Sequence, residues 1–368
     1  MRARRAVRGL GTILAVALVT GCGPVVPADP WPTPDPTATQ ESPATTPPSS
    51  ASPSTTQASA APLALTVMTY NTLTGRNDCA GCRALRAAGR GDELALARRM
   101  PAAAAKIALA APDIIGFQEN EGPDRLPQQH LAGLLGDYAW AEPGSPVPIA
   151  VRADSFRVVE SGVTDLESGP RACRSGDRTD GRQVTWALVE EIATGRRLWV
   201  FNTHLHPFDT ARCAAMRAEN VDRLLAVVAE RNPDGELPHL VIGDFNAFGD
   251  ERRSGFRHHL DAMAAAGMVD SHEIAAEDTS DVPGAASAGW MTATVGGRSR
   301  VGVVRRGGRY LDYIWVPEGS TVGTWQVLSG PGVGYRRIGG EKVPYWTGVM
   351  ASDHSPVVAA VVLGASGG

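Results

Sequence analysis

Leu240-Val241-Ile242-Gly243-Asp244-Phe245-Asn246 is an apolar run of strand length that ends in an acid and an amide. A strand buried on both faces reads as a near-continuous apolar run, so polar residues at its end belong at an accessible edge of the sheet. Three other stretches repeat the pattern: Met68-Thr69-Tyr70-Asn71, Ile114-Ile115-Gly116-Phe117-Gln118-Glu119 and Val200-Phe201-Asn202-Thr203-His204. Strands running in one sense would gather Asn71, Glu119, His204, Asp244 and Asn246 on one edge. Two later runs carry their polar residues at the start, Leu311-Asp312-Tyr313-Ile314-Trp315-Val316 and Ser352-Asp353-His354-Ser355-Pro356-Val357-Val358. Entering from that same edge, antiparallel to the first four, they add Asp312, Asp353 and His354 to the cluster.

Around these runs the chain alternates apolar strands with helical stretches from residue 63 to its end, with no internal repeat, and 63–368 reads as a single α/β or α+β domain. Strands are expected at Leu65 to Tyr70, Asp113 to Gln118, Pro148 to Arg152, Gln183 to Glu190, Arg197 to Thr203, His239 to Gly243, Tyr310 to Val316 and Pro356 to Leu363. Helical spacing is expected at Pro101 to Ala110, Arg125 to Leu135, Thr210 to Arg231 and Gly255 to Ala266.

The cluster holds oxygen donors and imidazoles but no thiolate, which suits Mg²⁺, Mn²⁺ or Ca²⁺ better than zinc. Carboxylates can hold such an ion against a non-bridging phosphate oxygen, a histidine or aspartate can activate water, and an amide can fix the phosphate. The pattern therefore points to phosphate-ester hydrolysis.

Asn71 after a strand, Gln118-Glu119, Asn202-Thr203-His204, Gly243-Asp244-Phe245-Asn246, Leu311-Asp312-Tyr313 and Ser352-Asp353-His354 together resemble the ordered motif set of the endonuclease/exonuclease/phosphatase family, the deoxyribonuclease-I-like fold. The resemblance implies a four-layer α/β sandwich, two packed mixed sheets flanked by helices with the site at one edge. It also implies that Glu119 is the principal metal ligand, with Asn71 and Asp353 completing the metal side. Asp244 would orient or deprotonate the attacking water, and Asn246 would hold the phosphate. His354, oriented by Asp312, would contact the phosphate or act as base, and His204 would stabilise or protonate the leaving side. His206, two residues further on, shares the face of His204 if the strand continues, as a candidate substrate contact or a solvated loop histidine.

Two departures bear on the substrate. DNA-repair members of the family carry an acid where this chain has Leu73, and nuclease-type members a tyrosine or acid where it reads Gly144-Ser145-Pro146-Val147-Pro148. His204 is thereby left without an assignable partner, and the departures argue against an abasic-site repair enzyme.

Lys+Arg is 35 against Asp+Glu 39, a formal net charge of -4, which excludes a binder held to polyanions by bulk charge. At the N-terminus Arg2, Arg4, Arg5 and Arg8 precede an apolar stretch, and Val19-Thr20-Gly21-Cys22 resembles a bacterial lipobox. Residues 1–21 are thus expected as a lipoprotein signal peptide and Cys22 as the lipidated residue. Removing those four arginines leaves 31 Lys+Arg against 39 Asp+Glu, a formal charge of -8. Residues 22–62 then form the lipidated end and a Pro/Ser/Thr-rich tether, with 11 of the 27 prolines between Gly23 and Pro62 and no Lys or Arg. At roughly 3.1 Å per residue it reaches at most about 120 Å. The expected location is the outer face of the bacterial cell membrane, or the medium after release, with the membrane touched only through the lipid.

In an exported chain Cys79, Cys82, Cys173 and Cys213 favour two disulfides over a zinc or redox motif, with three pairings open. A monomer is expected. As substrate, nucleic acid is favoured over lipid because Arg171, Arg174, Arg178 and Arg182, and also Arg298, Arg300, Arg305, Arg306 and Arg309, form basic stretches in loops. Arg305, Arg306 and Arg309 are the chosen candidates for contacting it. A phospholipid or sphingomyelin phosphodiesterase or an inositol-phosphate phosphatase is the alternative, although no apolar aromatic hairpin for membrane insertion is evident. A non-catalytic binding module is the third reading, but none of the core residues is lost. The anchor has its own test: metabolic labelling with a fatty-acid analogue should mark the wild type and not Cys22→Ser, and equal labelling of both would remove the assignment.

Overall fold

The computed structural model describes residues 62–75, 79–121, 127–168, 172–173, 181–283, 285–288, 292–295, 298–301, 310–331 and 333–363. Cys22, the tether, Arg171, Arg174, Arg178, Arg305, Arg306 and Arg309 lie outside them.

The first half of the chain supplies β1 (Leu63–Asn71), α1 (Ala80–Ala87), α2 (Leu96–Ala110), β2 (Ile114–Gln118), α3 (Pro127–Ala132), β3 (Tyr138–Ala141), β4 (Ile149–Arg152), β5 (Phe156–Asp165) and β6 (Gln183–Glu191). The second half continues with β7 (Arg197–His204), α4 (Ala211–Arg231), β8 (His239–Asp244), α5 (His258–Ala265), β9 (Met268–Asp270), β10 (Ala275–Asp278), β11 (Thr292–Val295) and β12 (Arg298–Val301). The last strands are β13 (Asp312–Pro317), β14 (Thr321–Val327), β15 (Val333–Ile338), β16 (Glu341–Trp346) and β17 (Val357–Leu363). Among the described residues these form a seven-stranded sheet of order β10-β14-β17-β1-β2-β4-β3, a six-stranded sheet of order β5-β6-β7-β8-β13-β9, and two separate hairpins, β11-β12 and β15-β16.

Alternation along the strands explains the layering. Leu65, Val67, Ile114, Val357 and Ala359 face Val200, Leu240, Ile242 and Ile314 across the sandwich in one apolar core. The intervening residues Met68, Tyr70, Ile115 and Phe117 turn outward onto Met100, Ala103 and Ile107 of α2 and Leu131 of α3. On the other side Tyr313 and Trp315 turn outward onto Phe245 and onto His259 of α5. A central strand is thus apolar on both faces, which is why the sequence shows continuous runs. Gly116 fits this closeness, since a Cβ there would lie 2.6 Å from Ile242 Cδ1 and 2.7 Å from Asn202 Oδ1.

The senses expected from the polar ends hold. β1 runs parallel to β2 and β7 to β8, while β17 is antiparallel to β1 and β13 to β8. α2 differs from the expected Pro101 to Ala110: it begins at Leu96, with Pro101 inside it. The extra turn is held by the buried Arg99, whose guanidinium donates to the carbonyls of Leu94, Thr72, Leu73 and Ala351. The disulfides are Cys79–Cys82 and Cys173–Cys213, which leaves neither pair free for zinc. Among the described residues no helix is long and apolar enough to cross a membrane.

His259 sits in the aromatic layer with its Nε2 3.2 Å from Tyr313 Oη, and burial pushes its pKa down to about 4. The unfolded chain therefore takes up a proton that the folded one refuses, so this stability is complete above about pH 6.5 and is lost as pH falls toward 4, by up to about 3 kcal/mol. Urea titrations at a series of pH values should show a steeper loss on acidification for wild type than for His259→Gln. Parallel profiles would refute the assignment.

Candidate active site

The site residues occupy the last inward-facing position of each central strand, where the apolar slab between the sheets gives way to solvent. Asn71 ends β1, Asp244 ends β8 and Asp312 opens β13, and the register sets His204 and Asp312 opposite Asp244 on its two neighbours. Gly243 lets the chain pass beside β7, because its φ is 151° and a Cβ would lie 2.2 Å from Thr203 O. Glu119 and Asn246 follow their strands with φ of 59° and 50°, a left-handed backbone that non-glycine residues adopt at some cost and that turns the chain at the rim.

Hydrogen bonds join these groups across the two sheets. Asn71 Nδ2 donates to Glu119 Oε1 at 3.1 Å and to Asp244 Oδ2 at 3.0 Å, while its Oδ1 accepts from Leu73 N at 3.0 Å. Glu119 Oε2 accepts from Thr74 N at 2.9 Å. Asp244 Oδ1 accepts from Asn246 N at 2.9 Å, and Asn246 Nδ2 lies 3.0 Å from both His204 Nε2 and Leu205 O. His354 Nδ1 is 3.0 Å from Asp312 Oδ2, and its Nε2 is 3.8 Å from Asp244 Oδ2. Ser352 Oγ donates to Asn71 O and accepts from His354 N, fixing the loop that brings His354 in. Beneath the site Gln118 Nε2 donates to Asn202 Oδ1 at 2.8 Å, and Asn202 Nδ2 donates to the carbonyls of Phe117, Val147 and Pro148.

The electrostatics follow from burial and close charges. Burial, followed by the charge of Asp312, pushes the Asp244 carboxyl up to about 7 against the opposing pull of His354 and Asn71. Burial would lower His354, but the carboxylates of Asp312 and Asp244 hold it well above the usual histidine range, so it is an imidazolium. Burial, with Arg182 and His354 nearby, holds His204 well below that range and neutral. A neutral His204 serves as a hydrogen-bonding partner of Asn246 better than as the proton donor expected on the leaving side.

A divalent cation fits the side formed by Glu119 and Asp353. Glu119 is raised by burial and then by the charge of Asp353, and Asp353 Oδ1 is buried with no hydrogen-bond partner. Two like charges with an orphaned oxygen suit an ion with hard-oxygen preference. Asp244, Asp312 and His354 also bring ligand atoms within 4.8 Å of one another. That trio is the poorer holder, because His354 Nδ1 is committed to Asp312 and the ring is cationic. Asn71, expected to complete the metal side, instead bridges the two carboxylates through its amide nitrogen.

His206 departs furthest from expectation. β7 stops at His204, and the His206 ring is fully buried with Nε2 2.5 Å from Glu167 Oε1. It faces neither substrate nor solvent. Arg217 Nη1 donates to His206 O and Phe208 O, clamping the turn that follows His204. Arg182 is half-buried, with Nη1 3.4 Å from His204 O, rather than standing free in a basic rim. The sequence reading missed Arg99, Thr74, Glu167 and Arg217. Only Arg99 left a signal, as a cation on the apolar stripe of a helix with Leu96, Met100, Ala103 and Ile107.

No curated protein matches the chain. An endonuclease/exonuclease/phosphatase family protein of Bacteroides thetaiotaomicron superposes with a TM-score of 0.59 at 20% identity, covering 82% of this chain and 98% of that one. A mannosyl-6-phosphatase of B. thetaiotaomicron VPI-5482 gives 0.56 at 19% identity, over 81% and 100%. An endonuclease/exonuclease/phosphatase of Beutenbergia cavernae gives 0.51 at 19%, over 82% and 72%. Identities this low establish a shared fold. The family model for the endonuclease/exonuclease/phosphatase family matches residues 68–354, which span every core site residue from Asn71 to His354. The chain belongs to that family, whose members are phosphoester hydrolases that generally depend on a divalent metal.

Proposed function

We propose that this protein is an exported phosphodiester hydrolase, held to the outer face of the cell membrane by Cys22, that acts with Mg²⁺ or Mn²⁺ on nucleic acid. The observation that carries the hydrolytic reading is the pairing of Asp244, its carboxyl pushed up to about 7, with an imidazolium His354 3.8 Å away, beside two carboxylates that suit a cation. A bound divalent ion supplies neutralisation of the charge on a phosphate oxygen. Asp244, with a pKa pushed to about 7, takes a proton from the attacking water. His354 directs its Nε2–H at the phosphoryl group while Asp312 fixes its other nitrogen and its charge. Asn246 and the neutral His204 form the facing wall, where the P–O bond to the leaving alcohol breaks. The leaving oxygen takes its proton from solvent and Asp244 releases to solvent the one it took, so one water is consumed and the products are a phosphate monoester and an alcohol.

A second reading, a sugar-phosphate monoesterase, is supported by the fold likeness to the mannosyl-6-phosphatase at a TM-score of 0.56. Parallel assays of the purified full chain on bis-p-nitrophenyl phosphate, DNA, RNA, mannose 6-phosphate, sphingomyelin and inositol phosphates separate the readings. Diesters should turn over only with metal, and excess chelator should abolish the rate. Asp244→Ala, His354→Ala and Asp312→Asn should each lower kcat/KM roughly 100-fold or more. Undiminished turnover in chelator would sink the reading, and hydrolysis of monoesters alone would replace it with the second.

A further inference from the structure

The β15–β16 hairpin gathers three exposed cations, Arg336, Arg337 and Lys342, within seven residues, none of them in an ion pair with a carboxylate among the described residues. Many of the other described arginines are neutralised by carboxylates: Arg90 by Glu93, Arg152 by Asp113, Arg196 by Glu191, Arg253 by Glu251 and Arg257 by Asp261. On the hairpin Arg336, Arg337 and Lys342 are exposed and rest on its own rings and backbone instead. Lys342 Nζ lies 4.5 Å from the centre of the Tyr335 ring, and the Arg336 guanidinium 3.7 Å from that of Tyr345.

The register adds a cost that folding does not explain. Arg337 stands directly opposite Lys342, and Tyr335, two residues before Arg337, shares their face. Like charges in directly opposed positions, with Cβ atoms about 5 Å apart, destabilise an antiparallel pair, a repulsion that an anion between them would relieve. The root of the hairpin is fixed close to the catalytic loop. Trp346 is buried, Lys106 Nζ lies 4.6 Å from its ring centre, and the same Nζ is 3.3 Å from Ser355 Oγ, next in sequence to His354.

We propose that the Tyr335–Arg337–Lys342 face grips backbone phosphates of a single-stranded nucleic acid flanking the phosphodiester being cleaved. The proposal rests on the phosphodiesterase reading of the site and extends it to a polymer. Two cations with a phenol ring beside them match a phosphate and its neighbouring base or sugar. A bilayer is the poorer occupant, because the tip reads Ile338-Gly339-Gly340-Glu341, two glycines and an acid.

The test compares the full chain with the double variant Arg337→Gln/Lys342→Gln and with Tyr335→Ala. Binding of a fluorescent single-stranded oligonucleotide is followed by anisotropy in chelator, so it does not depend on turnover. The double variant should bind about tenfold or more weakly at low salt, and its plot of log affinity against log salt should flatten by about 1. Its KM for the oligonucleotide should rise while hydrolysis of bis-p-nitrophenyl phosphate stays within about twofold, and its melting temperature should stay level or rise as the charge repulsion is relieved. Tyr335→Ala should weaken binding with no change in the salt slope. Unchanged oligonucleotide affinity in both variants would overturn the proposal. So would loss of binding to phosphatidylglycerol vesicles with oligonucleotide binding intact. Absence of metal-dependent turnover of the small diester by wild type would count against the phosphodiesterase reading alone, and the binding arm would still decide the role of the hairpin.

Discussion

The carboxamide of Asn71 lies between two sheets that meet largely through apolar side chains, and it donates to Glu119 on one and Asp244 on the other. A carboxylate at the end of an apolar slab is costly unless donors reach it, and removing its partner leaves the full desolvation penalty behind. Three of the sandwich's acids have such donors: Asn71 and Thr74 for Glu119, Asn71 and Asn246 for Asp244, His354 for Asp312. The Gln118–Asn202 pair repeats the arrangement one layer down, where Gly116 keeps the sheets close enough for two short side chains to touch.

Charge arithmetic then explains why the site calls for an ion. Glu119, Asp244, Asp312 and Asp353 are four carboxylates, and the buried cations acting on them are His354 and Arg99. The difference is two negative charges, which adds to burial in raising the carboxyls of Glu119 and Asp244. A divalent cation on the Glu119–Asp353 side would restore balance without a proton, leaving Asp244 free to exchange one with water. Arg99 contributes at a distance, holding the backbone of Thr72, Leu73 and Ala351 and so the two loops that carry the donors to Glu119 and the acid at Asp353.

The site was legible in the sequence because each central strand spends its apolar residues in the slab and its last inward position on chemistry. The change from polar-last in four strands to polar-first in two carried the strand senses as well. What stayed hidden depends on partners distant in sequence. His206 was read by extending β7, but the chain leaves the sheet after His204, Phe208 takes a φ of 76°, and the partner that buries His206 comes from Glu167. The edge strands were silent for another reason: β5, half exposed, has no continuous apolar run, and β9 has only three residues. The disulfide pairing was undecidable from spacing, since the approach of Cys173 to Cys213 depends on where α4 begins.

That last junction ties chemistry to architecture. α4 starts at Ala211 with Thr210 capping Cys213 N, and Cys213 holds Cys173 by a disulfide while Arg217, one turn on, holds the carbonyls of His206 and Phe208. Three consecutive carbonyls, those of His204, Leu205 and His206, accept from Arg182, Asn246 and Arg217. A loop that follows a candidate site residue at the end of a strand is ordinarily among the mobile parts of a fold. Here it is bound on every side to a helix and a cross-link, so His204 is presented to Asn246 in one orientation. Cross-links of this kind form in oxidising compartments, so the Cys173–Cys213 bridge places part of the stiffness of this loop in covalent chemistry.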